Sequence, residues 1–95
     1  ARLDAEAFGI ALRAIVRVNL QSHAEEDAKD FLRLIGQHQE VAEAFSVSGD
    51  ADYVLILQCE NLRTFADFIH TKLLPQKVIS QVRSEIVLNE IKRSL

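Results

Sequence analysis

The stretch Tyr53-Val54-Leu55-Ile56-Leu57-Gln58-Cys59 constrains the fold more than any other part of the chain. Its β-branched and aromatic content predicts a strand. Tyr53, Leu55, Leu57 and Cys59 then fall on one side, with Val54 and Ile56 on the other, because successive side chains of a strand point to opposite faces. A strand that is apolar on both faces needs cover on both sides. With 95 residues in all, one core is affordable but thin, and domains of this size often rely on a disulfide, a metal or a partner subunit. Cys59 is the one cysteine, so no disulfide can form within the chain.

The other elements follow from period and punctuation. Leu12, Ala14, Val16, Val18 and Leu20 alternate with Arg13, Ile15, Arg17 and Asn19, a half-buried strand. Ser22 precedes Glu25 by the spacing of a capping box, and Glu25, Glu26 and Asp27 crowd the first turn of a helix, where the dipole favours negative charge. Ala24, Ala28, Phe31, Leu32 and Ile35 form its apolar stripe, and Gly36 is placed to end it. From Val41 to Gly49 the pattern alternates again, with Val41, Phe45 and Val47 on one face, and Gly49-Asp50 turns the chain into the Tyr53 strand. Asn61 is the expected N-cap of a second helix with Leu62, Phe65, Ala66, Ile69 and Leu73 inward and Pro75 as its stop. Val82, Ser84, Ile86 and Leu88 predict the last strand. Strand, helix, strand, strand, helix, strand gives an α+β, ferredoxin-like βαββαβ fold: a four-stranded antiparallel sheet with two helices on one face. Ile15, Val54 and Ile56 lie on the bare face and imply a partner sheet, hence a homodimer.

Composition excludes several functions. Hydrophobic residues make up 48% of the chain, high for a small domain, so part of the apolar area is expected in a subunit interface. The net charge of −3 argues against direct binding to a nucleic-acid backbone, which needs clustered Lys and Arg. No apolar run approaches the roughly 20 residues that span a bilayer, so no membrane partner is expected. Cys59 suits a reducing cytoplasm as a small core residue. His23, His38 and His70 are scattered, without Cys or carboxylate at ligand spacing, so neither metal nor cofactor is expected. No phosphate loop or nucleophile elbow is present, and the chain lacks the tools of an enzyme. It also contains no methionine, even at position 1, from which we expect a longer precursor.

One constellation could carry chemistry. Ser48-Gly49-Asp50-Ala51-Asp52-Tyr53 gathers a glycine, a hydroxyl, two carboxylates and a phenol in one turn. Backbone N–H groups at a glycine turn can hold the carboxylate of a free amino acid, and an Asp can hold its ammonium. A plain hairpin turn uses the same residue types, and both readings stay open on chemistry alone.

At these residues the chain resembles the Lrp/AsnC transcriptional regulators. Ser48 to Tyr53 followed by Val-Leu-Ile-Leu is similar to their Gly-x-x-Asp-Tyr hairpin. Arg2 to Gly9 resembles the stretch joining their helix-turn-helix domain to the sensor domain. Phe65 to Ile69 with Leu73-Leu74-Pro75 resembles the second helix, and Ser84 to Lys92 the last strand. The resemblance implies dimers paired through the sheets, assembled into tetramers or octamers, with an amino-acid effector bound near the turn where dimers meet. It implies contacts from Gly49, Asp52, Ser48, Asp50 and Tyr53, and from Ser84 on the last strand. Val82 stands where many relatives carry a second hydroxyl residue. The resemblance further implies that residues 1–10 are a linker remnant and 11–95 the effector-binding and oligomerisation domain. DNA would be reached only through an N-terminal helix-turn-helix domain.

Three alternatives share the strand order. A stand-alone amino-acid-binding module would begin with its own methionine. A dimeric α+β barrel enzyme would need a catalytic His, Asn or Trp in a protomer pocket, and there is no Trp. An ACT-like regulatory domain typically has a glycine after the first strand, where this chain has Leu20-Gln21-Ser22-His23.

Overall fold

The structure, a computed structural model, describes residues 12–92. The linker expected over residues 1–10 lies outside the described residues. The elements are β1 (Leu12–Leu20), α1 (Glu25–Gly36), β2 (Val41–Ser46), β3 (Tyr53–Cys59), α2 (Leu62–Phe68), which runs on into a π-helical stretch (Ile69–Leu73), and β4 (Ile79–Ile86). The strands lie in the order β2-β3-β1-β4 with every neighbouring pair antiparallel. This is the expected ferredoxin-like arrangement.

β1 is central, and its alternation is fully used. Ala14, Val16, Val18 and Leu20 are buried with Leu55, Leu57 and Cys59 of β3 against Phe31 and Ile35 of α1 and against Phe65, Phe68, Ile69 and Leu73. Each large side chain removed from water stabilises by about 1.5–3 kcal/mol. The core is wholly apolar among the described residues. The opposite face carries Ile15 and Arg17 on β1, Val54 and Ile56 on β3, and no helix among the described residues.

Several local expectations need correction. Ser22 is not the helix cap: α1 begins at Glu25, and its N-cap is Ala24, in extended conformation without a side-chain bond. Residues 21–24 lie between β1 and the first helical turn, which puts Ser22 two residues too early. Its hydroxyl accepts from the Ala24 amide at 3.2 Å and pairs with Asp27 instead. Leu32 is half exposed, and Leu34 packs on the core in its place. Asn61 does cap α2, its Oδ1 accepting from the Thr64 amide at 2.8 Å and hydroxyl at 3.0 Å. Leu62, expected inward, is exposed in the first turn of that helix. The Thr71 hydroxyl donates to the Asp67 carbonyl at 2.6 Å, a competing bond that loosens the α-helical ladder, and the Leu74 amide reaches back to Ile69 at 2.9 Å.

β2 departs most from its sequence pattern. Val41 pairs with Leu57, but Glu43 pairs with Ile56, so an irregularity at Ala42 breaks the register. A bulge reverses the alternation beyond it. Val41 therefore packs on the core, while Phe45, opposite Val54, joins the bare face and is half exposed. β2 also ends at Ser46, short of Gly49. β4 ends at Ile86; the Val87 amide still donates to the Arg13 carbonyl at 2.9 Å. Leu88, expected in this strand, is 93% exposed.

Candidate functional site at the β2–β3 turn

Residues 47–52 join β2 to β3 and fold back onto the end of β1. Ala51 is buried there, and the Asp52 amide donates to the Val18 carbonyl at 3.0 Å. Where the β1–β3 ladder stops, the Asp52 side chain takes over. Its Oδ2 accepts from the Leu20 amide at 2.8 Å, and Oδ1 lies 3.3 Å from Nε2 of His23. The Leu20 amide holds the Asp52 carboxyl below its ordinary value of 3.8, outweighing partial burial, and His23 acts in the same direction. From the other side of the turn, Nδ2 of Asn19 donates to the Asp50 carbonyl at 2.7 Å. The Ser80 hydroxyl in turn meets the carbonyls of Asn19 and Leu20 at 3.2 and 3.3 Å, and the Gln21 amide donates to Val78 at 2.7 Å. The end of β1 thus ties the turn to the start of β4.

This anchoring sorts the sequence-derived residues. Ser48, Gly49 and Asp50 are exposed, and no hydrogen bond or ion pair of the Ser48 or Asp50 side chain occurs among the described residues. A Cβ on Gly49 would meet open space. Asp52 faces inward as the anchor. Tyr53 lies on the helix side, its ring 4.8 Å from that of Phe31 between centroids and tilted by 32°. Ser84 is exposed on β4 opposite Val16, with β1 between it and β3, and no hydrogen bond joins it to the turn among the described residues. Ile15, Val54 and Ile56 are half-buried on the bare sheet face, where Ile15 and Ile56 are register partners.

Sequence reasoning missed Asn19, His23 and Ser80. Asn19 is the one uncharged polar residue of β1, and that was its sole signal; the roles of His23 and Ser80 arise only from the fold. His38, by contrast, packs edge-on against Phe68 at 5.4 Å. Cys59 is buried, and burial together with the Glu40 carboxylate pushes its thiol up. No group of three or more His, Cys, Asp or Glu able to hold a metal occurs among the described residues, and none of their helices is long and apolar enough to cross a membrane.

Open clefts lie away from the turn. One of about 430 Å³ sits at the far end of β3 beside His38, Glu40, Gln58 and Thr64. Another, of about 650 Å³, lies between α1 and residues 75–78. The turn is therefore the floor of neither cleft.

The fold and sequence of this domain match those of a ligand-binding domain found in transcriptional regulators. The sequence profile of the Lrp/AsnC ligand binding domain matches residues 13–95, and the chain belongs to the Lrp/AsnC family. It is 32% identical over 92 residues to the leucine-responsive regulatory protein of Rhizobium meliloti (strain 1021), covering 97% of this chain and 59% of that protein. It is 28% identical over 93 residues to the transcriptional regulator AzlB of Bacillus subtilis (strain 168), covering 98% and 59%. Among solved structures it is similar to the transcriptional regulator NMB0573 of Neisseria meningitidis in its L-Met complex, with a TM-score of 0.85 and 28% identity over 95% of this chain and 58% of that one. The chain thus spans somewhat under two thirds of the length of these relatives, which are regulators and not enzymes.

Proposed function

We propose that this domain senses a small effector, an amino acid, and assembles the regulator that carries it. The observation that supports this most directly is the turn anchored from behind by Asp52 and Asn19 and open in front at Ser48, Gly49 and Asp50. Rigid backing with a free outer surface suits a site completed by a second chain. In this reading, backbone N–H groups at Gly49 meet the effector carboxylate, and Asp50 and the Ser48 hydroxyl are the nearest groups for its ammonium. Asp52 orients the turn, Tyr53 forms its inner wall, and Ser84 serves the site from a neighbouring subunit. The methionine complex of the Neisseria relative supports the class of effector.

The bare sheet face, with Ile15, Val54, Ile56 and the added Phe45, pairs with a second copy, and the dimers meet at their turns in tetramers or octamers. DNA is contacted by a helix-turn-helix domain preceding residues 1–10, a linker, and effector binding changes how such domains are spaced. Residues 11–95 are the sensing unit of a cytoplasmic regulator.

A thermal-shift screen of the twenty amino acids, run with light scattering, tests this. At least one should raise the melting temperature in proportion to ligand excess on a protein that is a dimer or larger at micromolar concentration. Asp52→Ala should abolish that rise while leaving the dimer intact. No response to any amino acid at millimolar concentration would overturn the sensing role, and a monomer the pairing.

A further inference from the structure

The bare sheet face carries an unsatisfied charge pattern. Across the four strands, Phe45, Val54, Arg17 and Arg83 form one row; Glu43, Ile56, Ile15 and Glu85 form the next. Phe45, Val54, Ile56 and Ile15 make the apolar part of both rows, and three of the four corners, Glu43, Arg83 and Glu85, are charged. Arg83 stands directly opposite Arg17, a like-charge pairing that is unfavourable across strands. Glu85 relieves only half of it, since its carboxylate pairs with Arg17. No ion pair or hydrogen bond of the Arg83 side chain occurs among the described residues, and the same holds for Glu43 at the opposite edge. A cation on β4 and an anion on β2 thus flank one apolar strip, each without a partner among the described residues.

We propose that Arg83 and Glu43 are the pair that selects and registers a second copy of this chain, each reaching its counterpart across the sheet-to-sheet contact. The inference rests on the face-to-face pairing proposed above and adds what decides its partner and register. A two-fold axis lying in the interface and running roughly along the strands exchanges the outer strands, so that β4 of one copy lies over β2 of the other. Arg83 then faces the strand holding Glu43, and the symmetry makes the contact twice. The two residues are one row apart, about 7 Å along a strand. The roughly 30° crossing of aligned sheets and the length of the arginine side chain can span that offset. An anionic partner of another kind, such as a phosphate backbone, fits poorly because Glu43 and Glu85 occupy the same face. Complementary charge of this kind chiefly sets specificity and excludes wrong partners.

Charge reversal separates this from the pairing itself. R83E and E43R, each alone, should raise the dimer dissociation constant by roughly a hundredfold, because every contact becomes like-charged. Mixing the two variants should restore a dimer containing one chain of each, and the double variant R83E/E43R should again pair with itself. Both positions are exposed, and circular dichroism should show the monomeric variants folded. Analytical ultracentrifugation of tagged and untagged chains reads each outcome. A dimeric wild type with R83E and E43R equally dimeric would overturn the proposed pair and leave the sheet pairing standing, as would failure of the mixture to form mixed dimers. A monomeric wild type would instead overturn the pairing on which it rests.

Discussion

The Asp52 carboxylate accepts the Leu20 amide at 2.8 Å, standing in for a ladder bond where β1 runs past its partner. That one bond fixes the turn against the sheet and gives it a pH dependence. The folded carboxyl is held below its ordinary value of 3.8, first by Leu20 and then by His23. A depressed carboxyl contributes stability that is present above its unfolded value and lost as the pH falls through its folded one. Asp52→Asn should therefore cost about 1 kcal/mol at pH 7. Its deficit against wild type should close as the pH drops below 3.8. Urea unfolding from pH 7 to pH 2.5 checks this; a deficit that stays constant would assign the bond no charge component.

What the sequence made legible here was whatever depends on periodicity within one element. The faces of β1 and β3, the Asn61 cap and the strand order all follow from alternation and punctuation local to each segment. The bulge at Ala42 was not legible, because nothing in Val41-Ala42-Glu43-Ala44-Phe45 marks which small residue is skipped; packing of Val41 on Leu57 decides it. The anchor of the turn was half legible. Asp52 stands out by type, but its partners are main-chain groups whose proximity only the fold creates, and a backbone amide leaves no trace in sequence.

The two helix starts give a paired test. Asn61 accepts from the Thr64 amide, whereas Ser22 lies outside α1 and bonds the Ala24 amide. Asn61→Ala should destabilise by about 1 kcal/mol. Ser22→Ala should stay within about 0.5 kcal/mol, as for surface positions generally. Equal losses in chemical denaturation would return Ser22 to the capping role its spacing suggests.

Leu57 is fully buried on β3, between Ala14 of β1 and Val41 of β2. Truncation there removes apolar contacts from both neighbouring strands. Leu57→Ala should cost about 3 kcal/mol, against about 1 kcal/mol or less for Leu62→Ala at an exposed helix position. Urea midpoints at neutral pH rank the two, and a larger loss at Leu62 would contradict the placement of the core.

Cys59 offers a chemical readout of the same core. Burial, reinforced by the Glu40 carboxylate, keeps its thiol protonated above the ordinary value of 9.0. Since the thiolate is the reactive species, a disulfide reagent at pH 8 should modify the folded protein roughly a hundredfold more slowly than the unfolded chain. A raised thiol contributes stability that is complete below its unfolded value and lost as the pH climbs through its folded one. Wild type should therefore lose stability relative to Cys59→Ala only above about pH 9. Modification of the folded protein at the rate of a free thiol would place Cys59 at the surface and open the far end of β3 to solvent.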